Sequence, residues 1–120
     1  MLLKSAEAYD GIFIACGVTD MRLGMDGLAH LVKQDFQMNP FGNYLFLFVN
    51  RRKNRMKVLT WDKNGFCVYY KRLDGDGARY AWPETPGEIR GITADQFHNL
   101  LEGLTIYPPK GFKERTSGDF

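Results

Sequence analysis

Residues 44–73, YLFLFVNRRKNRMKVLTWDKNGFCVYYKRL, constrain the fold more than any other part of the chain. Three apolar, aromatic-rich runs alternate there with two polar breaks. Tyr44–Val49 is apolar on both faces, as a central strand is. Residues 56–61 place Met56, Val58 and Thr60 on one side and Lys57, Leu59 and Trp61 on the other. Residues 66–72 place Phe66, Val68 and Tyr70 opposite Cys67, Tyr69 and Lys71. Asp62-Lys63-Asn64-Gly65 reads as a short hairpin, since Asn-Gly is a strong turn pair. The stretch predicts a three-strand antiparallel meander.

The flanks supply the remaining elements. Asp10-Gly11 is a turn signal, and Ile12-Phe13-Ile14-Ala15-Cys16 reads as a short buried strand closed by Gly17. Thr19-Asp20 supplies oxygen side chains for a helix N-cap. A helix is expected from there to about Phe36, because Met25, Leu28, Ala29, Val32 and Phe36 recur on one face of a 3.6-residue period. Gly24 and Gly27 weaken that helix by up to about 1 kcal/mol each relative to Ala. Close approach of helix to sheet accounts for them, with backbone contact to a phosphate as the other reading. After the meander, Asp74-Gly75-Asp76-Gly77 breaks the chain. Arg79-Tyr80-Ala81-Trp82 reads as a further strand, and residues 84–91 as a loop. Thr93-Ala94-Asp95-Gln96 matches a capping box, with Ile92 and Phe97 placed to form its hydrophobic staple. That second helix runs through Leu100 and Leu101 to Gly103. The expected fold class is α+β: an antiparallel β-sheet built on the central meander, with two main helices packed on one face. The expected domain spans residues 1–107, followed by a flexible tail over residues 108–120, where apolar periodicity is lost.

Length and composition bound the function. A chain of 120 residues makes one domain with a real core. Cys16 and Cys67 have neither metal nor redox spacing and read as buried, reduced thiols. No run reaches the roughly 18 apolar residues of a membrane span, and the N-terminus lacks the long apolar region of a signal peptide. A cytoplasmic protein without membrane contact is expected.

Charge is unevenly placed. Residues 44–73 hold eight Lys/Arg against one acid, a local charge of +7 within a chain of net +2, which leaves −5 elsewhere. Arg51, Arg52, Lys53 and Arg55 share one turn, with Lys57, Lys71 and Arg72 nearby. Like charges repel, so such a turn calls for an anion, and the arginine fork suits phosphate. Tyr69, Trp61 and Tyr70 offer faces on which bases could stack. DNA is the leading partner; an acidic protein surface and a merely solvated turn are the alternatives.

Catalytic signals are weaker. Asp20, Asp26, Asp62, Asp74 and Asp76 could form a divalent-metal set for a nuclease, but each has a local reason as a cap or turn residue. His30 and His98 lack ligand spacing and read as surface or boundary residues. No catalytic residue, metal ligand or cofactor is assigned.

Six segments in unbroken order carry a resemblance. They are residues 17–28 (GVTDMRLGMDGL), residues 39–42 (NPFG), residues 45–52 (LFLFVNRR), residues 61–73 (WDKNGFCVYYKRL), Trp82-Pro83, and residues 100–104 (LLEGL). Over residues 10–104 the chain resembles the small TnpB-type accessory proteins encoded by the second reading frame of bacterial insertion sequences of the type numbered sixty-six. The resemblance implies a role in transposition beside a separate transposase and another small accessory protein, without established catalytic residues. It singles out Thr19, Asp20, Met21 and Arg22, then Asn50 with Arg51 and Arg52, then Asp62, Gly65, Tyr70, Lys71 and Arg72. Gly42 directly after Phe41, and Leu104-Thr105-Ile106-Tyr107 in place of a Trp-Arg ending, depart from the family pattern.

Overall fold

The computed structural model describes residues 4–103. The expected tail over residues 108–120 and the end of the expected domain, residues 104–107, lie outside the described residues. A 3-10 turn at Ala6–Ala8 precedes strand β1 (Gly11–Ala15), helix α1 (Met25–Gln34), strands β2 (Tyr44–Val49), β3 (Arg55–Asp62), β4 (Gly65–Arg72) and β5 (Ile89–Ile92), and helix α2 (Ala94–Leu101). The fold is α+β.

The five strands form one sheet in the order β4-β3-β2-β1-β5. β2 pairs antiparallel with β3, and β3 with β4, through registers such as Leu47↔Val58 and Lys57↔Tyr70. β1 runs parallel to β2, with Ile14 opposite Leu47. A parallel neighbour needs a crossover, and residues 16–43, with α1 in their middle, provide it. An all-antiparallel sheet was expected, so this pair is a correction.

The helices do not share a face. Leu28, Ala29 and Val32 of α1 pack with Phe46, Phe48 and Leu59, whereas Phe97 and Leu100 of α2 pack with Leu45, Leu47, Val49, Met56 and Val58. Successive strand residues point to opposite faces, so the unbroken apolar run of β2 is covered by α1 on one side and α2 on the other.

Four further readings are corrected. α1 begins at Met25 with Gly24 as its N-cap, and Gly24 makes no side-chain cap bond. Thr19-Asp20 is therefore not the cap; the Asp20 carboxylate accepts from the Arg22 amide and side chain instead. Gly27 faces Leu23, not the sheet: an added Cβ would lie 2.9 Å from Leu23 Cδ2. Residues 79–82 form no strand. Tyr80 and Trp82 are instead buried in the α2-side core, the Trp82 indole N–H donating to the Ala15 carbonyl at 2.8 Å. The last strand is β5, read from sequence as a loop, which pairs antiparallel with β1.

At α2 the capping box forms as read. The Thr93 hydroxyl accepts from the Gln96 amide at 3.0 Å, and the Gln96 side chain accepts from the Thr93 amide at 2.8 Å. Both cysteines are free; Cys16 is buried, and Cys67 is half-buried where full burial was expected. Among the described residues, no helix is long and apolar enough to cross a membrane.

Candidate nucleic-acid interface

The sheet has two chemically different ends. One carries the 50–55 turn. Asn50 builds it: its carbonyl accepts from the Lys53 amide at 3.0 Å, and its side-chain Oδ1 accepts from the Asn54 and Arg55 amides at 3.0 and 2.9 Å. Asn50 Nδ2 donates to Asn54 Oδ1 at 2.8 Å. Lys53 closes the turn in the left-handed region, at φ +60°. Arg51 and Arg52 project from a loop held by the Asn50 bonds within it and by the Leu73 and Tyr80 amides from outside.

The segment after β1 reaches the same end. The Gly17 amide donates to the Pro83 carbonyl and the Thr19 amide to the Val49 carbonyl, both at 2.8 Å. The Lys57 ammonium then donates to the carbonyls of Met21 (2.8 Å) and Leu23 (3.0 Å). Residues 17–23 are thereby fastened beside the basic turn, which brings Thr19, Asp20 and Arg22 near Asn50. Arg22 is 89% exposed and paired with Asp20. That pairing, by hydrogen bonds first and charge second, lowers the Asp20 carboxyl to about 2.

The seven basic residues singled out from sequence divide by type. The three lysines are held internally. Lys53, with its side chain only 16% exposed, pairs with Glu84 at 2.7 Å and holds that carboxyl below its usual range. Lys57 is committed to the 21–23 carbonyls. Lys71 points to the α2 face and donates to the Leu101 carbonyl at 2.7 Å, at the negative end of that helix. The four arginines are exposed. Arg72 pairs with Asp74 at 3.1 Å. Among the described residues, Arg51, Arg52 and Arg55 have no ion pair and no side-chain hydrogen bond. Arg55 and Arg72 lie directly opposite across β3 and β4, an arrangement that is unfavourable for like charges.

Of the three aromatics considered for stacking, one stays near these cations. Tyr70 is 50% exposed and sits opposite Lys57, on the face it shares with Arg55 and Arg72. Tyr69 packs against the α2-side core. Trp61 lies at the other end of the sheet, 5.0 Å from the rings of both Phe41 and Phe66. Asp62 and Gly65 close the β3–β4 hairpin at that far end as well. Its left-handed residue is Lys63, at φ +56°. The motif residues thus separate, with Thr19, Asp20, Arg22, Asn50 and Tyr70 at the basic end and Asp62 and Gly65 remote from it.

The five carboxylates considered as a metal set do not converge. β3 alone puts Asp62 roughly 20 Å from the basic turn at about 3.4 Å per residue. Among the described residues no three His, Cys, Asp or Glu side chains are grouped to hold an ion.

One residue at this end escaped the sequence reading. Arg79 is exposed and lines a cleft with Arg52 and Asn54. Its neighbours Tyr80 and Trp82 suggested a strand and hid its position beside the turn.

Comparison with known proteins gives a coherent result. The model of the family described as "IS66 Orf2 like protein" matches residues 10–111. The chain is 38% identical over 99 residues to the "Uncharacterized protein y4hO" of Sinorhizobium fredii (strain NBRC 101917 / NGR234), covering 82% of this chain and 84% of that one. It is 27% identical over 93 residues to "Uncharacterized protein y4jC" of the same organism, covering 78% of each. No solved structure matches significantly.

Proposed function

The chain belongs to the IS66 Orf2-like family, the TnpB-type accessory proteins, and from that premise we propose that it assists transposition of an insertion sequence by contacting DNA through its basic turn. The observation that carries the reading is the division of cations: Arg51, Arg52 and Arg55 are exposed and, among the described residues, unpaired on a turn held in shape by Asn50. A turn whose backbone is already ordered presents its guanidinium forks to phosphate without the cost of ordering the loop. Arg72 and Tyr70 extend the surface along β4. The role is non-catalytic and needs no cofactor; phosphate contacts of this kind position a protein on DNA without reading sequence. The transposase and the other small accessory protein of the same element are the proposed protein partners.

A second reading uses the same arginines on an acidic surface of the transposase, without DNA. Capture of the transposase from cells, with and without nuclease, separates the two. DNA contact predicts direct binding of purified chain to duplex DNA, lost on Arg51, Arg52 and Arg55→Gln together. Capture that survives nuclease and disappears on charge reversal at Arg51 and Arg52, with no duplex binding by the pure chain, supports the adaptor instead.

A further inference from the structure

The loop after β4 is tied to the basic turn at both its ends. The Leu73 amide donates to the Asn54 carbonyl at 2.8 Å, and the Tyr80 amide donates to the Lys53 carbonyl at 2.7 Å. Two consecutive carbonyls of the turn thus hold the two ends of the loop. Between them opens a cleft of about 440 Å³, lined by Arg52 and Asn54 from the turn and by Asp76, Arg79 and the backbone around Gly75 and Gly77 from the loop.

The lining is a set of donors. Arg52 and Arg79 make no hydrogen bond or ion pair among the described residues; the electrostatic neighbour of Arg79, Glu84, lies in the adjoining cleft. Asn54 Oδ1 is occupied by Asn50 Nδ2, so the amide presents its NH₂ group, which has no acceptor among the described residues. Gly77, at φ +71°, has nothing within 4 Å of where a Cβ would stand, leaving its backbone open to close approach. Asp74 is drawn away by Arg72. Asp76 is the single acid in the lining, so the two guanidiniums leave the cleft at a formal +1.

From this geometry we infer that the cleft seats one phosphodiester group, held between Arg52 and Arg79 with Asn54 donating. A singly charged diester matches the +1 lining, whereas Asp76 opposes the second charge of a terminal phosphate. The inference rests on the DNA-contact reading and assigns a particular seat within it.

The test is an amide NMR titration of the full chain with dimethyl phosphate, and separately with inorganic phosphate and a duplex DNA, at constant ionic strength. Dimethyl phosphate is expected to move the Gly75, Gly77 and Arg79 amides saturably. Arg79→Gln is expected to abolish that response and weaken duplex binding about 3- to 10-fold, and Asp76→Asn to strengthen the response to inorganic phosphate. Unmoved loop amides, or an unchanged response in Arg79→Gln with dispersion intact, overturn the seat. If the seat fails while Arg51, Arg52 and Arg55→Gln together still abolish duplex binding, the DNA reading stands alone. If dimethyl phosphate fills the cleft but no duplex binds, the seat stands and the DNA reading falls.

Discussion

Asn50 does more for the basic turn than any of the cations in it. One side chain accepts from two amides and donates to Asn54, all within 3.0 Å. Replacing it by Ala keeps every charge and removes the scaffold. Loss of these bonds, two of them part-buried, is expected to cost about 1–3 kcal/mol in urea unfolding. Affinity for duplex DNA should fall as well, because the arginines must then be ordered on binding; unchanged affinity would show that turn shape is irrelevant. Asp20 gives a second residue-scale prediction. Its folded pKa lies below the ordinary aspartate value, so its favourable contribution is complete above about pH 4 and is lost as pH falls through about 2. Arg22→Gln removes the leading cause, and the Asp20 carboxyl midpoint, followed by carbon NMR, should rise toward the ordinary range. An unmoved midpoint would contradict the pairing.

At the scale of elements, Lys53, Lys57 and Lys71 fasten, whereas Arg51, Arg52 and Arg55 remain available. Lys57 links β3 to the segment before α1, and Lys71 links β4 to the end of α2. Lys57→Met leaves two carbonyls without their donor, so destabilisation of about 1–3 kcal/mol is expected, with faster amide exchange through residues 20–28. Arg52→Gln, at an exposed position without an ion pair among the described residues, should stay within about 0.5 kcal/mol. If the two variants proved equally stable, the division of roles would be wrong. This division was not legible in the sequence, because which cations are held depends on partners distant along the chain, such as the 21–23 backbone at Lys57. The strongly patterned elements were legible: β1, β2, β3, β4 and the capped α2 all appear within a residue or two of their expected places. β5 was not, since Ile89-Arg90-Gly91-Ile92 is short and carries Gly and Arg; its strand character comes from pairing with β1. Residues 79–82 misled in the opposite sense, because Tyr80 and Trp82 fill the core without a ladder partner. The start of α1 was misplaced because Asp20 found Arg22 before it could find helix amides.

For the molecule as a whole, the sheet separates its surfaces. Both helices were expected on one face of the sheet, but the two-sided apolar run of β2 is covered by one helix on each side. With both faces occupied, the 50–55 turn, the fastened 17–23 segment and the 73–80 loop gather at one end, and the Phe41, Trp61 and Phe66 rings gather at the other. The polarity of charge along the sequence thereby becomes a polarity of the described structure, with three arginines at its tip that are unpaired among the described residues. The most direct test is a fluorescence-anisotropy titration of duplex DNA between 50 and 200 mM salt, comparing the wild-type chain with Arg51, Arg52 and Arg55→Gln together. Each phosphate contact adds about 0.9 to the dependence of log affinity on log salt. The account predicts that the triple variant keeps its folding stability and that its slope is shallower by about 2–3. An unchanged slope and affinity would contradict it.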